Sequence, residues 1–348
     1  MKRLLLVPFA LALTACPPPE DHVYSASSAA AWERTRQDLQ PVLDRYTFDG
    51  AVMIAGGRLD GATSGRGRTW PWASITKQVV ATIVMQEVEA GRLALDTPVS
   101  DYLADWPSGG PVAPTLRQLL QHQSGLYDPE ADPAVDVRAA LPIDPMTCVS
   151  RRTAVPGGEF AYNNCDTLLV GRVLERTTRH TIGELYRERI AVPLGLESSG
   201  FVTADTPLAP SRDGSLDAAE VAHYGAAGGL AGTPADLVMF SRGLMEGKLL
   251  GEAAREEMWR GNPQLGYSAL GQWETTLPVE GGDAPVRIIE RRGAIPGYQA
   301  RNYIMPDKDV VVVAFIGRSE ANYPFGEAWS REGLSYELLS AAACGEGA

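Results

Sequence analysis

The sequence predicts an α+β fold: a mainly antiparallel sheet flanked by helices, with a largely helical subdomain inserted between its strands. An apolar run at residues 51–55, followed by two glycines, is typical of a buried strand. Further candidate strands lie near the other end of the chain, at residues 286–289, 298–305 and 310–315, and turn signals such as Ile295-Pro296-Gly297 and Pro306-Asp307 separate them. Residues 101–254 have helical and loop patterns instead. The sheet should therefore join the two ends of the chain.

Apolar residues that recur every three or four positions predict the helices. A first helix is expected over residues 32–45, and a long buried helix should begin at Ser74 and end at Gly91. The remaining helices are expected at residues 115–123, 167–176, 182–190, 234–245 and 329–343. The chain has 348 residues, of which 45% are apolar, enough for a sizeable core. We expect one domain at residues 32–345, with its sheet part at about 32–100 and 255–345 and its helical insertion at about 101–254.

The first residues resemble a lipoprotein export signal. Met1-Lys2-Arg3 gives a charged start, and residues 4–13 form an apolar run too short to span a bilayer. Leu-Thr-Ala-Cys at residues 13–16 resembles a bacterial lipobox, which implies cleavage after residue 15 and a lipid on Cys16. We expect a signal peptide at 1–15, a flexible tether at 16–31 and a membrane-anchored lipoprotein facing the periplasm. The alternative is an ordinary signal peptide with an incidental cysteine, and either interpretation places the protein outside the cytoplasm.

Charge and cysteine content exclude several classes of partner and cofactor. The formal net charge of −12 and the absence of a basic run argue against nucleic acid. No Cys or His pair has the spacing of a zinc site, so we expect no metal and no cofactor. If Cys16 is lipidated, Cys148, Cys165 and Cys344 allow at most one intramolecular disulfide, and we favour Cys148 with Cys165. No pattern specifies an oligomeric state.

Ser74 and Lys77 form the first candidate catalytic motif. At three residues apart on a helix, their side chains share one face with Cβ atoms about 5–6 Å apart, so the amine could take the serine proton. The residues that follow are apolar nearly all round the helix, and burial lowers the pKa of a lysine towards that of a useful base. The alternative is a chance pairing of the two residue types.

Tyr162 and Asn164 form a second candidate motif, in the loop at residues 156–164. Two residues apart in an extended or irregular segment, their side chains can point the same way. A phenol close to a lysine ammonium has a lowered pKa and can shuttle protons. The alternative is a turn with a half-buried tyrosine, because Asn and Gly are common turn residues.

Arg291, Arg292 and Gly293 form the third candidate motif. A cationic residue on a strand beside a glycine allows the backbone to approach a ligand closely, with a carboxylate binder next to it. The alternative is an exposed edge strand protected by its arginines.

Ser-x-x-Lys, Tyr-x-Asn and a cationic residue-x-Gly, in this order, resemble the three motifs of the serine β-lactamase and penicillin-binding protein superfamily. Because its second motif contains a tyrosine, the sequence most resembles the branch of this superfamily that contains class C β-lactamases, D-alanyl peptidases and related esterases. The resemblance covers roughly residues 47–318 and implies a β-lactamase/transpeptidase-like fold. Further segments that look like family signatures lie at residues 96–103, 119–126, 193–196 and 228–236.

The resemblance implies a role for each matching residue. Ser74 would be the nucleophile that becomes acylated, and Lys77 would help to deprotonate it. Tyr162 would pass the proton to the leaving group, while Asn164 would hold Lys77 and the substrate amide. The N–H groups of Ser74 and Ala294 would form the oxyanion hole.

Arg291 departs from the pattern, because the family usually has Lys or His at this position. Arginine cannot give up its proton at neutral pH, so Arg291 can bind a substrate carboxylate but cannot relay a proton. Arg292 and Gly293 are expected to complete this substrate-binding segment. The stretch at residues 52–74 is also shorter than the family's usual strand pair.

These motifs predict a serine hydrolase that forms an acyl-enzyme at Ser74. Its substrate is expected to be a small molecule or peptide of the cell envelope, such as a peptidoglycan-derived peptide, ester or amide. Arg291 favours a D-alanyl peptidase or esterase over a β-lactamase. The alternative function is a non-catalytic protein on the same fold that binds peptidoglycan or a small ligand. A scaffolding role would leave the polar residues of the motifs without a purpose.

Overall fold

The computed structural model describes residues 29–344, apart from residues 57–60, 64, 66, 109–111, 133, 135–142, 215, 281 and 283. The predicted signal peptide and Cys16 lie outside the described residues. The first helix, α1, spans Ala29–Arg45 and contains Pro41. It therefore begins three residues earlier than predicted, within the stretch assigned to the tether.

Strands from both ends of the chain form the main sheet, which confirms the predicted α+β class. In chain order the strands are β1 (Ala51–Ala55), β2 (Gly61–Ala62), β3 (Trp70–Pro71), β4 (Gly200–Phe201), β5 (Leu230–Gly232), β6 (Trp273–Leu277), β7 (Val286–Ile295), β8 (Tyr298–Met305) and β9 (Val310–Ile316). Within the described residues the main sheet has the order β2-β1-β9-β8-β7-β6, and every neighbouring pair is antiparallel. Val52 of β1 lies opposite Ala314 of β9, so the two ends of the chain meet at the centre of the sheet.

A small second sheet, in the order β3-β5-β4, is absent from the sequence-based prediction. Its strands have only two or three residues, too few to show an alternating apolar pattern. Trp70 pairs with Gly232, and the Trp72 N–H donates to the Leu230 carbonyl at 2.8 Å. This sheet therefore fixes the chain immediately before Ser74.

Helices fill the sequence between the strands of the main sheet and cover both of its faces. After α1 the helices are α2 (Thr76–Glu89), α3 (Leu116–Leu120), α4 (Pro145–Ser150), α5 (Asn164–Thr178), α6 (Ile182–Tyr186), α7 (Val192–Leu194), α8 (Ala218–Ala222), α9 (Gly225–Gly228), α10 (Pro234–Met245), α11 (Glu252–Trp259) and α12 (Leu334–Cys344). Short 3-10 turns lie at Ala73–Ile75, Val99–Asp101, Pro263–Leu265, Pro306–Lys308 and Ala328–Ser330, and a π turn at Arg187–Ala191 joins α6 to α7.

The last helix begins later than predicted. The expected helix at residues 329–343 is interrupted because Arg331 and Gly333 have φ values of 59° and 89°, which end a helix. Regular helix starts only at Leu334. Leu338 and Leu339 are fully buried, as expected for a helix that packs on the sheet.

Alternate residues of the sheet pack into two separate cores. Met53 and Val313 belong to the core shared with α2 and the helical insertion. Their neighbours Val52 and Val312 point to the other face, into a core shared with α1 and α12. β1 and β9 are buried on both faces, which is why their sequences are continuously apolar.

Cys148 of α4 and Cys165 of α5 form a disulfide, as predicted. The bond connects two segments that lie 17 residues apart. Cys165 directly follows Asn164, so the disulfide fixes the helix start that carries one of the candidate catalytic residues. None of the described helices is long and apolar enough to cross a membrane.

Candidate active site

The turn that carries Ser74 connects β3 to α2. Ala73, Ser74 and Ile75 form one 3-10 turn, and the regular helix begins at Thr76, two residues later than predicted. Ala73 has a φ of 46°, a left-handed conformation that is strained for a residue with a side chain. Ser74 is the middle residue of this turn and is half-buried, whereas Ala73 and Ile75 on either side of it are buried.

Lys77 is fully buried beneath Ser74. Its ammonium group donates to three oxygen atoms: Ser74 Oγ at 3.1 Å, Asn164 Oδ1 at 2.5 Å and the Ala227 carbonyl at 2.7 Å. These acceptors come from the turn before α2, from α5 and from α9. The predicted burial of α2 is confirmed, because nearly every residue from Thr76 to Met85 is inaccessible to solvent.

Tyr162 and Asn164 approach the same point from the other side. The Tyr162 hydroxyl lies 2.6 Å from Ser74 Oγ. Asn164 is the first residue of α5, whose start is capped by the Asn163 side chain, so the predicted loop leads directly into a helix. Tyr162 is 39% exposed as a residue, whereas its hydroxyl contacts Ser74 and the buried Arg291.

Arg291 is buried inside the site, although it lies 217 residues after Ser74 in the sequence. Its Nε donates to the Ser74 carbonyl at 2.7 Å, and a terminal nitrogen donates to the Tyr162 hydroxyl at 3.0 Å. The guanidinium also lies 4.9 Å from the centre of the Trp273 ring. Arg291 therefore contacts both the Ser74 backbone and the Tyr162 hydroxyl.

Burial and neighbouring charges shift the pKa values of these groups. Burial lowers the pKa of Lys77, and the Arg291 charge lowers it further, against the opposing effect of Tyr162. For Tyr162 burial acts to raise the pKa, but the charges of Lys77 and Arg291 outweigh it and the net pKa is lowered. Ser74 thus lies between an amine and a phenol that are both easier to deprotonate than usual.

Gly293 allows β7 to lie against the turn that carries Ser74. A Cβ atom at Gly293 would lie 2.3 Å from the Trp72 carbonyl oxygen and 3.1 Å from the Ser74 nitrogen. β6 begins opposite Glu290, so residues 291–295 of β7 extend past it beside this turn. Gly293, which precedes Ala294, therefore lies against the backbone nitrogen of Ser74, and these are the segments that carry the two predicted oxyanion-hole residues.

Arg292 does not join this group. Adjacent residues on a strand point to opposite faces, and Arg292 lies on the face away from Ser74. It forms an ion pair with Glu327, lies 3.4 Å from Glu290, and stacks 4.8 Å from the centre of the Trp329 ring. Of the predicted substrate-binding segment, Arg291 and Gly293 contact the site and Arg292 does not.

Three further polar residues lie beside the site and were not identified from the sequence. Glu130 accepts a hydrogen bond from Asn164 Nδ2 at 2.5 Å, at the exposed mouth of the site. His122 and Asp166 form a buried pair behind Tyr162, with a distance of 3.0 Å between Nδ1 and Oδ2. All three lie within or near the family-like segments, but only the folded chain brings them together.

Within the part of the chain that the structure describes, no three His, Cys, Asp or Glu side chains are arranged to hold a metal ion. The site consists instead of a hydroxyl, an amine, a phenol and donors, which suit nucleophilic catalysis.

The chain matches the family model described as Beta-lactamase over residues 37–335 and belongs to that family. This match confirms the resemblance to the β-lactamase and penicillin-binding protein superfamily that the three motifs indicate.

Relatives that match parts of the chain carry several different names. A D-aminopeptidase of Cereibacter sphaeroides is 32% identical over 149 residues, which are 40% of this chain and 28% of that protein. Esterase EstB of Burkholderia gladioli is 32% identical over 162 residues, 41% of each chain. The matched part therefore covers less than half the length of these relatives.

Solved structures share the fold over a longer stretch. A D-stereospecific amidohydrolase from Streptomyces superposes with a TM-score of 0.71 at 24% identity, covering 91% of this chain and 99% of the other. A D-amino acid amidase from Ochrobactrum anthropi superposes with a TM-score of 0.66 at 20% identity, covering 82% and 91%. At this identity the likeness concerns the fold.

Replacing Gly293 with alanine should displace the turn that carries Ser74, because the added Cβ meets the Trp72 carbonyl oxygen at 2.3 Å. A displacement of about 1 Å can slow a reaction about a hundredfold, and we expect a loss of this size in the rate at which a fluorophosphonate labels Ser74. Intact-mass spectrometry measures that rate. Gly200→Ala is the matched control, because a Cβ at Gly200 meets nothing within 4 Å. Equal labelling rates for Gly293→Ala and the unmodified protein would contradict the proposed close packing.

Proposed function

We propose that the chain is a serine hydrolase that cleaves an amide or ester through an acyl-enzyme at Ser74. The observation that carries the proposal is the position of Ser74 Oγ, 2.6 Å from the Tyr162 hydroxyl and 3.1 Å from Lys77 Nζ. A nucleophilic hydroxyl needs a base within hydrogen-bond reach, and here two groups with lowered pKa values are available.

The geometry supports a defined sequence of proton and bond changes. Ser74 gives its proton to the phenolate of Tyr162 while its oxygen attacks the substrate carbonyl carbon. The backbone N–H groups of Ser74 and Ala294 would stabilise the resulting oxyanion, and a single such donor is typically worth about 3 kcal/mol. Tyr162 then protonates the leaving amine or alcohol, and a water molecule hydrolyses the acyl-enzyme.

Glu130 supports a substrate that carries a free amino group. Its carboxylate lies at the mouth of the site on Asn164, the residue assigned to hold the substrate. A negative group there attracts an ammonium and repels a substrate carboxylate. The names of the relatives include D-aminopeptidase, which agrees with this preference. We therefore favour an aminopeptidase-like or amidase-like reaction, with an ester as an accessible alternative substrate.

We also propose that the protein is exported and anchored by a lipid on Cys16. The charged start, the short apolar run and the Leu-Thr-Ala-Cys sequence support the proposal. The Cys148–Cys165 disulfide is in keeping with it, because such bonds persist in oxidising compartments.

A fluorophosphonate and a fluorescent penicillin, each incubated with the protein from residue 29 onwards, test the proposed nucleophile. We expect intact-mass spectrometry to show one adduct that maps to Ser74. Ser74→Ala should abolish the adduct, whereas Ser150→Ala, a change at a serine in α4, should keep it. Decay of the penicillin adduct would indicate β-lactam turnover, and a persistent adduct would indicate a penicillin-binding peptidase. If the folded protein forms no adduct with either probe, the non-catalytic binding role replaces the hydrolase.

Glu130→Gln tests the amino-group preference. An exposed ion pair contributes at most about 1 kcal/mol, so we expect KM for D-alanine p-nitroanilide to rise by about fivefold with little change in kcat. KM for p-nitrophenyl acetate, which lacks an amino group, should stay the same. Glu159→Gln removes another exposed carboxylate from the loop before Tyr162 and serves as the control. A parallel rise in KM for both substrates would refute an amine-binding role.

The lipid anchor is tested by growing cells that express the full chain with an alkyne-tagged palmitate. We expect the tag on the protein and the protein in the membrane fraction. Cys16→Ala should lose both, and Cys344→Ala should lose neither. Retention of the tag in Cys16→Ala would show that the lipid is attached elsewhere.

A further inference from the structure

A buried polar cluster lies directly behind Tyr162, and the reaction sequence above does not use it. His122 and Ser124 are each 2% exposed, and Asp166 is fully buried. His122 and Ser124 follow α3, whereas Asp166 lies in α5, two residues after Asn164. Buried polar groups cost stability unless they are hydrogen-bonded, so their partners show what the cluster does.

Asp166 is the centre of the cluster. One carboxyl oxygen lies 3.0 Å from His122 Nδ1, and the other accepts a hydrogen bond from the Ser124 hydroxyl. Ser124 Oγ in turn accepts the Leu126 N–H at 3.1 Å. Asp166 thereby connects α5, which carries Asn164, to the loop after α3.

His122 contacts the chain on both sides of Tyr162. Its carbonyl accepts the Ala161 N–H at 2.8 Å, and its Nδ1 accepts the Asn163 N–H at 3.4 Å. The imidazole ring lies 4.6 Å from the Tyr162 ring, measured between ring centres. His122 has a φ of 56°, an uncommon conformation for histidine, so its backbone is strained where it makes these contacts. The three contacts of His122, with the Ala161 N–H, the Asn163 N–H and the Tyr162 ring, hold Tyr162 in place.

The contacts of His122 Nδ1 and the burial of the pair bear on its charge. Nδ1 lies 3.4 Å from the Asn163 nitrogen and 3.0 Å from Asp166 Oδ2, and a protonated Asp166 carboxyl can donate to it. Burial raises the pKa of Asp166 well above its usual range, against the effects of Ser124 and Lys77. Burial lowers the pKa of His122, and the charges of Arg291 and Lys77 lower it further. Both shifts favour the uncharged forms of the two side chains.

The charged groups that face this cluster come from three elements. Lys77 of α2 and Arg291 of β7 are cationic, and Asp128 in the loop after α3 is anionic. An ionised Asp166 would add a negative charge near Tyr162 and oppose the cations that lower the pKa of its hydroxyl. A neutral pair avoids this effect while keeping the hydrogen bonds.

We propose that His122 and Asp166 are positioning residues that hold the Tyr162 hydroxyl between Ser74, Lys77 and Arg291. The inference rests on the proposed function, because it assigns the pair to the base of that reaction. A pair that only stabilised the fold could be replaced by well-packed apolar residues at little cost. The contacts of this pair instead converge on the two residues that flank Tyr162.

The test compares His122→Asn, Asp166→Ala and Asp166→Asn by the rate of Ser74 labelling with a fluorophosphonate over a range of pH. Asparagine tolerates the left-handed conformation of residue 122 but lacks the ring that contacts Tyr162. In Asp166→Asn the amide can still donate to Nδ1 and accept from Ser124, so this variant should restore what Asp166→Ala loses. Ser241→Ala is the control, because it removes a buried hydrogen bond of 2.9 Å to Asn302, a pair that the proposed mechanism does not use.

We expect His122→Asn and Asp166→Ala to slow the maximal labelling rate by about tenfold or more while probe affinity changes little. The acidic limb of the pH profile should move to higher pH. The reason is that Tyr162, released from Lys77 and Arg291, regains a higher pKa and is deprotonated only at higher pH. Asp166→Asn and Ser241→Ala should keep the unmodified profile, and circular dichroism with thermal melting should show that all four variants are folded.

Two results would overturn the inference. One is an unchanged pH profile and maximal rate in folded His122→Asn and Asp166→Ala. The other is an Asp166→Asn variant as slow as Asp166→Ala. If Asp166→Ala does not fold, His122→Asn and Asp166→Asn still decide the question, because the first should shift the profile and the second should not. Absence of labelling in the unmodified protein is a separate outcome, which would remove the proposed function together with this inference.

Discussion

The buried ammonium group of Lys77 is the interaction on which the rest of the site depends. An unpaired charge inside a core costs several kcal/mol, so the ammonium must be hydrogen-bonded wherever it lies. Its acceptors are Ser74 Oγ, Asn164 Oδ1 and the Ala227 carbonyl, at distances between 2.5 and 3.1 Å. They belong to α2's own turn, α5 and α9, so these three elements must dock in one arrangement. The hydrogen bonds that make burial of the Lys77 ammonium tolerable are therefore the same contacts that place it against Ser74 and Asn164.

The sequence predicts the parts of the fold whose local pattern agrees with their environment. β1 and α10 have the predicted bounds, because β1 is a short apolar run buried on both faces and Thr233 caps the start of α10. β7 was predicted to end at residue 289 but continues to Ile295. Its extension contains polar residues that face the site and the Glu327 ion pair rather than an apolar core. The apolar strand pattern of β7 therefore ends at the residues whose side chains are polar and contact the candidate site or Glu327.

The site residues that could be predicted from the sequence are those that lie close together in the chain, at the fixed spacing of a motif. Ser74 and Lys77 are neighbours on one turn, and Tyr162 is close enough in sequence to Asn164 to be assigned with it. Glu130 and His122 had no such signal, because each meets the site only after the loop following α3 packs against α5. The separation of Arg291 from Arg292 follows from strand alternation, but using it required the strand to be known to extend through both residues.

Arg291 makes one of the positive charges of the site permanent. Lys77 can lose its proton because burial lowers its pKa, whereas a guanidinium keeps its proton at neutral pH. Since Arg291 donates to the Tyr162 hydroxyl at 3.0 Å, it stabilises the phenolate even when Lys77 is neutral. The Lys or His that the family usually has here could exchange a proton with the tyrosine, and Arg291 cannot. In the proposed reaction, the proton taken from Ser74 therefore remains on Tyr162 or Lys77 until the leaving group accepts it, so the arginine constrains the proton's route and is compatible with acylation.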